Sequence, residues 1–109
     1  MTMPQPQGLI SVLLDPTARV DERDDAAMDL SDYPGPEAEA ALLQAATNPA
    51  EDEMVRASAG ESLAWIWIEV GRFDSETFAK LSGVARREAE SLVRAKHPEW
   101  LRDGTSTAA

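Results

Sequence analysis

Five carboxylates crowd one short stretch of the chain: Asp21, Glu22, Asp25, Asp29 and Asp32. At about 100° per residue, four of them fall on one side of a helix, with Glu22 beside them. Asp21/Asp25 and Asp25/Asp29 are like-charge pairs four residues apart, and Asp29/Asp32 is a pair three apart. Each pair costs a helix a few tenths of a kcal/mol (~0.2–0.5). Asp29 and Asp32 also lie toward the helix C-terminus, where the dipole disfavours negative charge. A face that works against its own helix points outward, to a cation that would relieve it. The stretch has the length of a calcium loop. It places Arg23 at the third position and Ala26 at the sixth, where such a loop needs an oxygen ligand and a glycine. Two roles fit the row: a solubilising surface, or a face that attracts a cation or a cationic partner.

A second constellation surrounds Trp65. Glu61 and Glu69 stand four residues to either side of it, with Ser58 and Ser62 on the same flank. A tryptophan among carboxylates and serines is an exposed aromatic unless another element covers it. The segment around Trp100 is the candidate cover. Aromatic anchors are enriched where proteins bind one another, and a ring face flanked by carboxylates accepts Lys or Arg. Packed helices lie about 10 Å apart. Asp21, Glu22, Asp25, Asp29, Asp32, Glu61, Trp65 and Glu69 are therefore expected to form one protein-binding patch.

Other chemistry finds no residues to carry it. There is no nucleophile motif, Gly-rich phosphate loop or histidine pair, and the lone His97 precedes Pro98 at a helix end, where capping carbonyls is its expected role. Carboxylates are plentiful, but none sits in an evident apolar pocket that would tune it for proton transfer. No catalytic residue, metal ligand or cofactor is assigned. Arg86, Arg87 and Arg94 are matched by Glu88 and Glu90, so no basic stripe for nucleic acid forms.

The net charge of −10 is unevenly placed. Residues 1–62 hold 13 acidic and 3 basic side chains, whereas residues 63–109 hold seven of each. This field repels nucleic acid and anionic membrane and attracts basic proteins. No cysteine is present, which rules out disulfides and thiolate metal sites and suits a reducing compartment. No apolar run approaches the roughly 20 residues of a membrane span, and no signal peptide is evident. A cytoplasmic protein, monomeric when free, is the expectation.

Proline and glycine punctuation divides the 109 residues into six helices. They are expected at about Gly8–Leu14, Val20–Asp32, Pro36–Thr47, Asp52–Val70, Ser75–Leu81 and Val84–Lys96. Asp74 is a candidate N-cap, Pro36 suits a first helical position, and Gly71 suits a C-cap. One domain is expected over residues 8–102, between tails at 1–7 and 103–109.

A pattern recurs on the second, fourth and sixth helices: Arg23-Ala26-Leu30, Arg56-Ala59-Leu63 and Arg86-Ala89-Val93, spaced by 33 and 30 residues. A period of that size is the mark of stacked helical units. Offsets of three and seven keep each triplet on one face, so the pattern predicts which face turns inward. Arg23 and Arg56 then lie within apolar stripes and require buried or half-buried carboxylate partners, most simply as staples between neighbouring units. Paired helices of this length, with Arg, Ala and Leu on the second helix of each pair, resemble HEAT-like repeats over residues 8–97. Departures are Val93 in place of Leu, a short first helix, and an Asp-Val lead before the Arg that is intact only around Val55-Arg56. The resemblance implies an all-α fold: a short right-handed array of about three antiparallel helix pairs, an α-solenoid, with the Arg-bearing helices lining the binding face.

Size, acidity and the lack of catalytic residues also resemble bacterial immunity proteins. That resemblance implies an inhibitor that neutralises a cationic toxin, with a basic protein as partner and no enzymatic activity. A non-inhibitory adapter or scaffold, and a carboxylate-dependent metalloenzyme, remain the alternatives.

Overall fold

The computed structural model describes residues 4–102. They form helices α1 (Gln7–Leu13), α2 (Val20–Asp29), α3 (Pro36–Thr47), α4 (Glu53–Val70), α5 (Ser75–Lys80) and α6 (Gly83–Lys96). A 3₁₀ turn, Leu30–Asp32, extends α2, and residues 98–102 are helical again. Among the described residues there is no strand, and the fold is all-α. The tails expected at 1–7 and 103–109 fall mostly outside the described residues. Of the first, residues 4–7 lead into α1, where Gly8 N–H donates to the Pro4 carbonyl and Gln5 Oε1 accepts from Leu9 N–H.

Local chemistry sets the helix ends. Asp52 caps α4 by accepting from Met54 N–H at 2.8 Å. Asp74 caps α5 by accepting from both Thr77 N–H and Thr77 Oγ1. Pro36 opens α3, where a missing N–H removes nothing. Gly71 ends α4 at φ 74°, the left-handed conformation that glycine adopts without penalty, and Arg72 N–H closes the turn onto the Trp67 carbonyl at 3.0 Å. The sequence predicts one continuous helix to Asp32. Its last turn tightens instead to 3₁₀, with Tyr33 N–H bonded to the Leu30 carbonyl ahead of the Pro34-Gly35-Pro36 break.

Helix α4 is the centre of the molecule and packs on α2, α3 and α6. Its buried residues Val55, Ala59, Leu63, Ile66 and Trp67 meet Ala26, Ala27 and Leu30 of the α2 segment, Leu42 of α3, and Ala85, Ala89 and Val93 of α6 in one core. The Ala and aliphatic members of all three triplets are buried, so the repeat does mark the inward faces. Small residues let the helices approach closely. A Cβ on Gly60 would lie 2.2 Å from the Ala85 carbonyl oxygen, so only glycine fits where α4 meets α6.

Of the two arginines expected to staple neighbouring units through carboxylates, Arg23 reaches a carboxylate in another segment, whereas Arg56 bonds to a main-chain carbonyl at the entry to its own helix, which is close enough to satisfy it locally. Arg23 is 11% exposed at its side chain and forks onto the Glu51 carboxylate, at 2.9 Å from its terminal nitrogen, while its other terminal nitrogen donates to the Ala18 carbonyl. Arg56 donates to the Glu51 main-chain carbonyl at 3.1 Å. Two triplet arginines therefore converge on one residue of the α3–α4 connection. Arg86 lies over the Phe78 ring at 4.4 Å and pairs with Glu90.

Candidate protein-binding surface

Helix α2 presents the acidic row as its hydrogen-bonding partners dictate. Asp21, Glu22, Asp25, Asp29 and Asp32 are all exposed. The first two are engaged locally: Arg19 forks onto Asp21, and Glu22 Oε1 accepts from Arg19 N–H, satisfying a donor at the helix start. Asp25, Asp29 and Asp32 have no hydrogen-bond or ion-pair partner among the described residues. A sixth carboxylate in the same stretch, Asp24, plays a structural part. It accepts from Ser58 Oγ of α4 at 2.6 Å. Ser62 Oγ, buried, donates to the Ala27 carbonyl at 2.7 Å. The serines beside Trp65 in sequence thus tie α4 to α2 and do not line a wet face. Their side of the wheel was legible; their partners came from a neighbouring helix that a single-helix projection does not contain.

Trp65 stands at the edge of this seam and is 38% exposed. Trp100 does not cover it. That ring stacks on His97 at 4.1 Å and on Phe73 at 5.5 Å, joining an aromatic group with Trp67 and Phe78. Lys96, the last residue of α6, instead places its Nζ 5.8 Å from the centre of the Trp65 ring. The face already receives a cation from within the chain. His97 is the C-cap residue of α6, its side chain paired with Glu99 Oε2. The same hydrogen bond holds the Glu99 carboxyl below its ordinary range.

Trp65, Glu69 and Asp32 line a hollow of about 420 Å³, with Ser31 and Pro34 completing the walls. The structure therefore brings one residue of the acidic row together with two of the Trp65 group. Asp21, Glu22, Asp25, Asp29 and Glu61 are not among the walls; Asp21 lies eleven residues before Asp32, about 16 Å along a helix. Pro34 is shared with a second cleft, built from the 34–36 turn, the end of α4 and the start of α5. Sequence reasoning did not find that cleft. Its carboxylates come from two distant sequence segments, Glu39 from α3 and Asp74 and Glu76 from the start of α5, and no periodicity joins them. Burial is the largest influence on Glu39 and pushes its carboxyl up, and the nearby Asp74 charge adds to this. Asp74 is held low by the Thr77 main-chain N–H.

Among the described residues, no group of three or more His, Cys, Asp or Glu side chains is placed to hold a metal ion. No helix of theirs is long and apolar enough to cross a membrane. The geometry defines an all-helical domain with an acidic flank and a half-exposed aromatic at one end. No protein-family model, curated protein or solved structure matches the chain.

Proposed function

We propose that the chain is a HEAT-like protein-binding domain that takes a basic protein onto the surface formed by Trp65, Asp32 and Glu69, with the acidic row of α2 steering its approach. The observation that carries this reading is Lys96 over the Trp65 ring, beside a hollow walled by two carboxylates. An amine of the chain's own occupies the position that a partner's Lys or Arg would take. At an exposed site such a contact is worth only about 0.5–1 kcal/mol, so a partner able to bury the ring displaces it readily. The unpartnered Asp25 and Asp29 raise the encounter rate without fixing the docked pose. An immunity-type inhibitor of a cationic toxin in the cytoplasm is the form of this function that suits the size and charge of the chain.

The experiment is affinity capture from the native cell with the full chain and its Trp65→Ala variant as baits. A strongly basic protein retained by the first and lost by the second is expected. The loss of affinity should exceed about 2 kcal/mol. Tm should change little, because Trp65 lies outside the buried core. A collapse of Tm would mean that Trp65 serves packing. Equal retention by both baits would remove Trp65 from the interface. Protection of cells from the captured protein separates an inhibitor from an adapter.

A further inference from the structure

Across Pro34 from the Trp65 hollow, the second cleft encloses about 810 Å³. Three carboxylates, Glu39, Asp74 and Glu76, face one guanidinium there, Arg72. Asp74 is already committed to capping α5. Glu39 is half-buried beside it, and its ionised form is disfavoured by that burial and by the Asp74 charge, with only the Gly35 N–H and Arg72 acting the other way. The wall also includes Trp67, which is 1% exposed. Its Nε1 is the only buried side-chain nitrogen or oxygen among the described residues without a hydrogen-bond partner. A sealed N–H that has lost water and found no acceptor is rare in a folded protein and asks for a cause. Phe73 and Phe78 meet the Trp67 ring edge to face, which packs it without supplying an oxygen acceptor. One cleft thus combines an under-compensated carboxylate with a wall residue whose N–H has no acceptor.

We propose that this cleft docks an arginine-bearing segment of a partner protein, the guanidinium binding Glu39 and a main-chain carbonyl of the segment accepting the Trp67 indole N–H. The inference rests on the reading that the molecule binds a basic protein, and it adds a second anchor across Pro34 from the first. Arginine fits better than lysine, because its planar fork matches a carboxylate and lies flat against aromatic walls. The incoming guanidinium takes the place beside Glu39 that Arg72, an exposed side chain, now holds. Glu76, exposed at the start of α5, adds to the attraction.

The test titrates the ¹⁵N-labelled full chain with N-acetyl-glycyl-arginyl-glycinamide, and separately with the same peptide carrying citrulline for arginine. The three tryptophans give three indole N–H signals, assigned with single Trp→Phe variants. The expected result is a downfield shift of the Trp67 indole proton with the arginine peptide and none with citrulline. Glu39→Gln should weaken the arginine peptide about tenfold, since a hydrogen bond to a charged group is worth at least that. On saturation, the Glu39 carboxyl should titrate lower than in the free protein. Equal binding of the citrulline peptide, or unchanged affinity in Glu39→Gln, overturns the proposal. If Trp65 responds and Trp67 does not, the cleft is not a docking site and the Trp65 surface stands. If neither indole responds, both fall.

Discussion

Replacing Gly60 by alanine tests the packing that holds α4 against α6. The added Cβ would meet Ala85 O at 2.2 Å and Ala85 C and Cα at 2.8 Å. Carbon contacts are comfortable at about 3.5–4.0 Å, so α6 must retreat by an ångström or more. The atoms it meets are main chain and cannot rotate away. Overpacking of this kind costs up to about 3 kcal/mol, whereas alanine in place of glycine inside a helix returns about 1. The net loss is about 2 kcal/mol, and at roughly 4–8 °C per kcal/mol for a domain of this size, Tm should fall by about 8–16 °C. Thermal unfolding followed by circular dichroism reads this directly. Ala85→Gly in the same background should give no rescue, because the obstruction is the carbonyl and not the Ala85 side chain. A rise in Tm, the outcome of helix propensity alone, would show that the two helices do not approach as described.

Removing Glu51 should strand the Arg23 charge in its part-buried setting. Glu51→Ala is expected to lower stability in urea by about 3 kcal/mol, and Arg23→Met in that background to restore most of it. The two carboxyls of the second cleft should respond to pH with opposite signs. Glu39 has a raised value, so its ionisation opposes folding; Glu39→Gln should raise Tm at pH 7, with the gap closing as pH falls below about 4, where the carboxyl is protonated folded or unfolded. Asp74 has a lowered value, so its contribution is present above about pH 4 and fades as pH falls further; Asp74→Asn should lower Tm at pH 7 and converge with the parent in acid. Asp25→Asn with Asp29→Asn should slow association with a basic partner and flatten its salt dependence while Tm holds, as measured by stopped flow at two ionic strengths; an unchanged on-rate would refute steering by the row.

The helices were legible because their ends are written in local chemistry. Asp52, Asp74, Pro36 and Gly71 act at the positions their types demand, through bonds reaching no more than five residues. The inward faces were legible for the same reason, since Ala26, Ala59 and Ala89 repeat in phase with the helix. What escaped depends on residues distant in sequence. Glu51 looked like one acid among many, yet it receives Arg23 from 28 residues away. Ser58 and Ser62 looked solvent-facing and proved to be bonded to α2. The helix beginning at residue 98 was hidden by its proline, which was read as a stop and serves as a start.

Side-chain size changes along α4, and both candidate surfaces lie toward its C-terminal end. The contact of α4 with α6 is narrow at Gly60, which lies against the Ala85 main chain, and Ala59 and Ala89 are buried in the same core. At the end of α4 the chain groups Trp67 with Phe73, Phe78 and Trp100, whose neighbouring rings stand 5.3 to 6.3 Å apart. The Glu39 cleft takes Trp67 and Phe73 into its walls, the Trp65 hollow takes none of these rings, and the two recesses share Pro34. The proline turn that stops the α2 segment and starts α3 is thus also the wall between them. It is a short, stiff divider, and under the proposed function it would set the separation that a partner's two anchoring side chains must match.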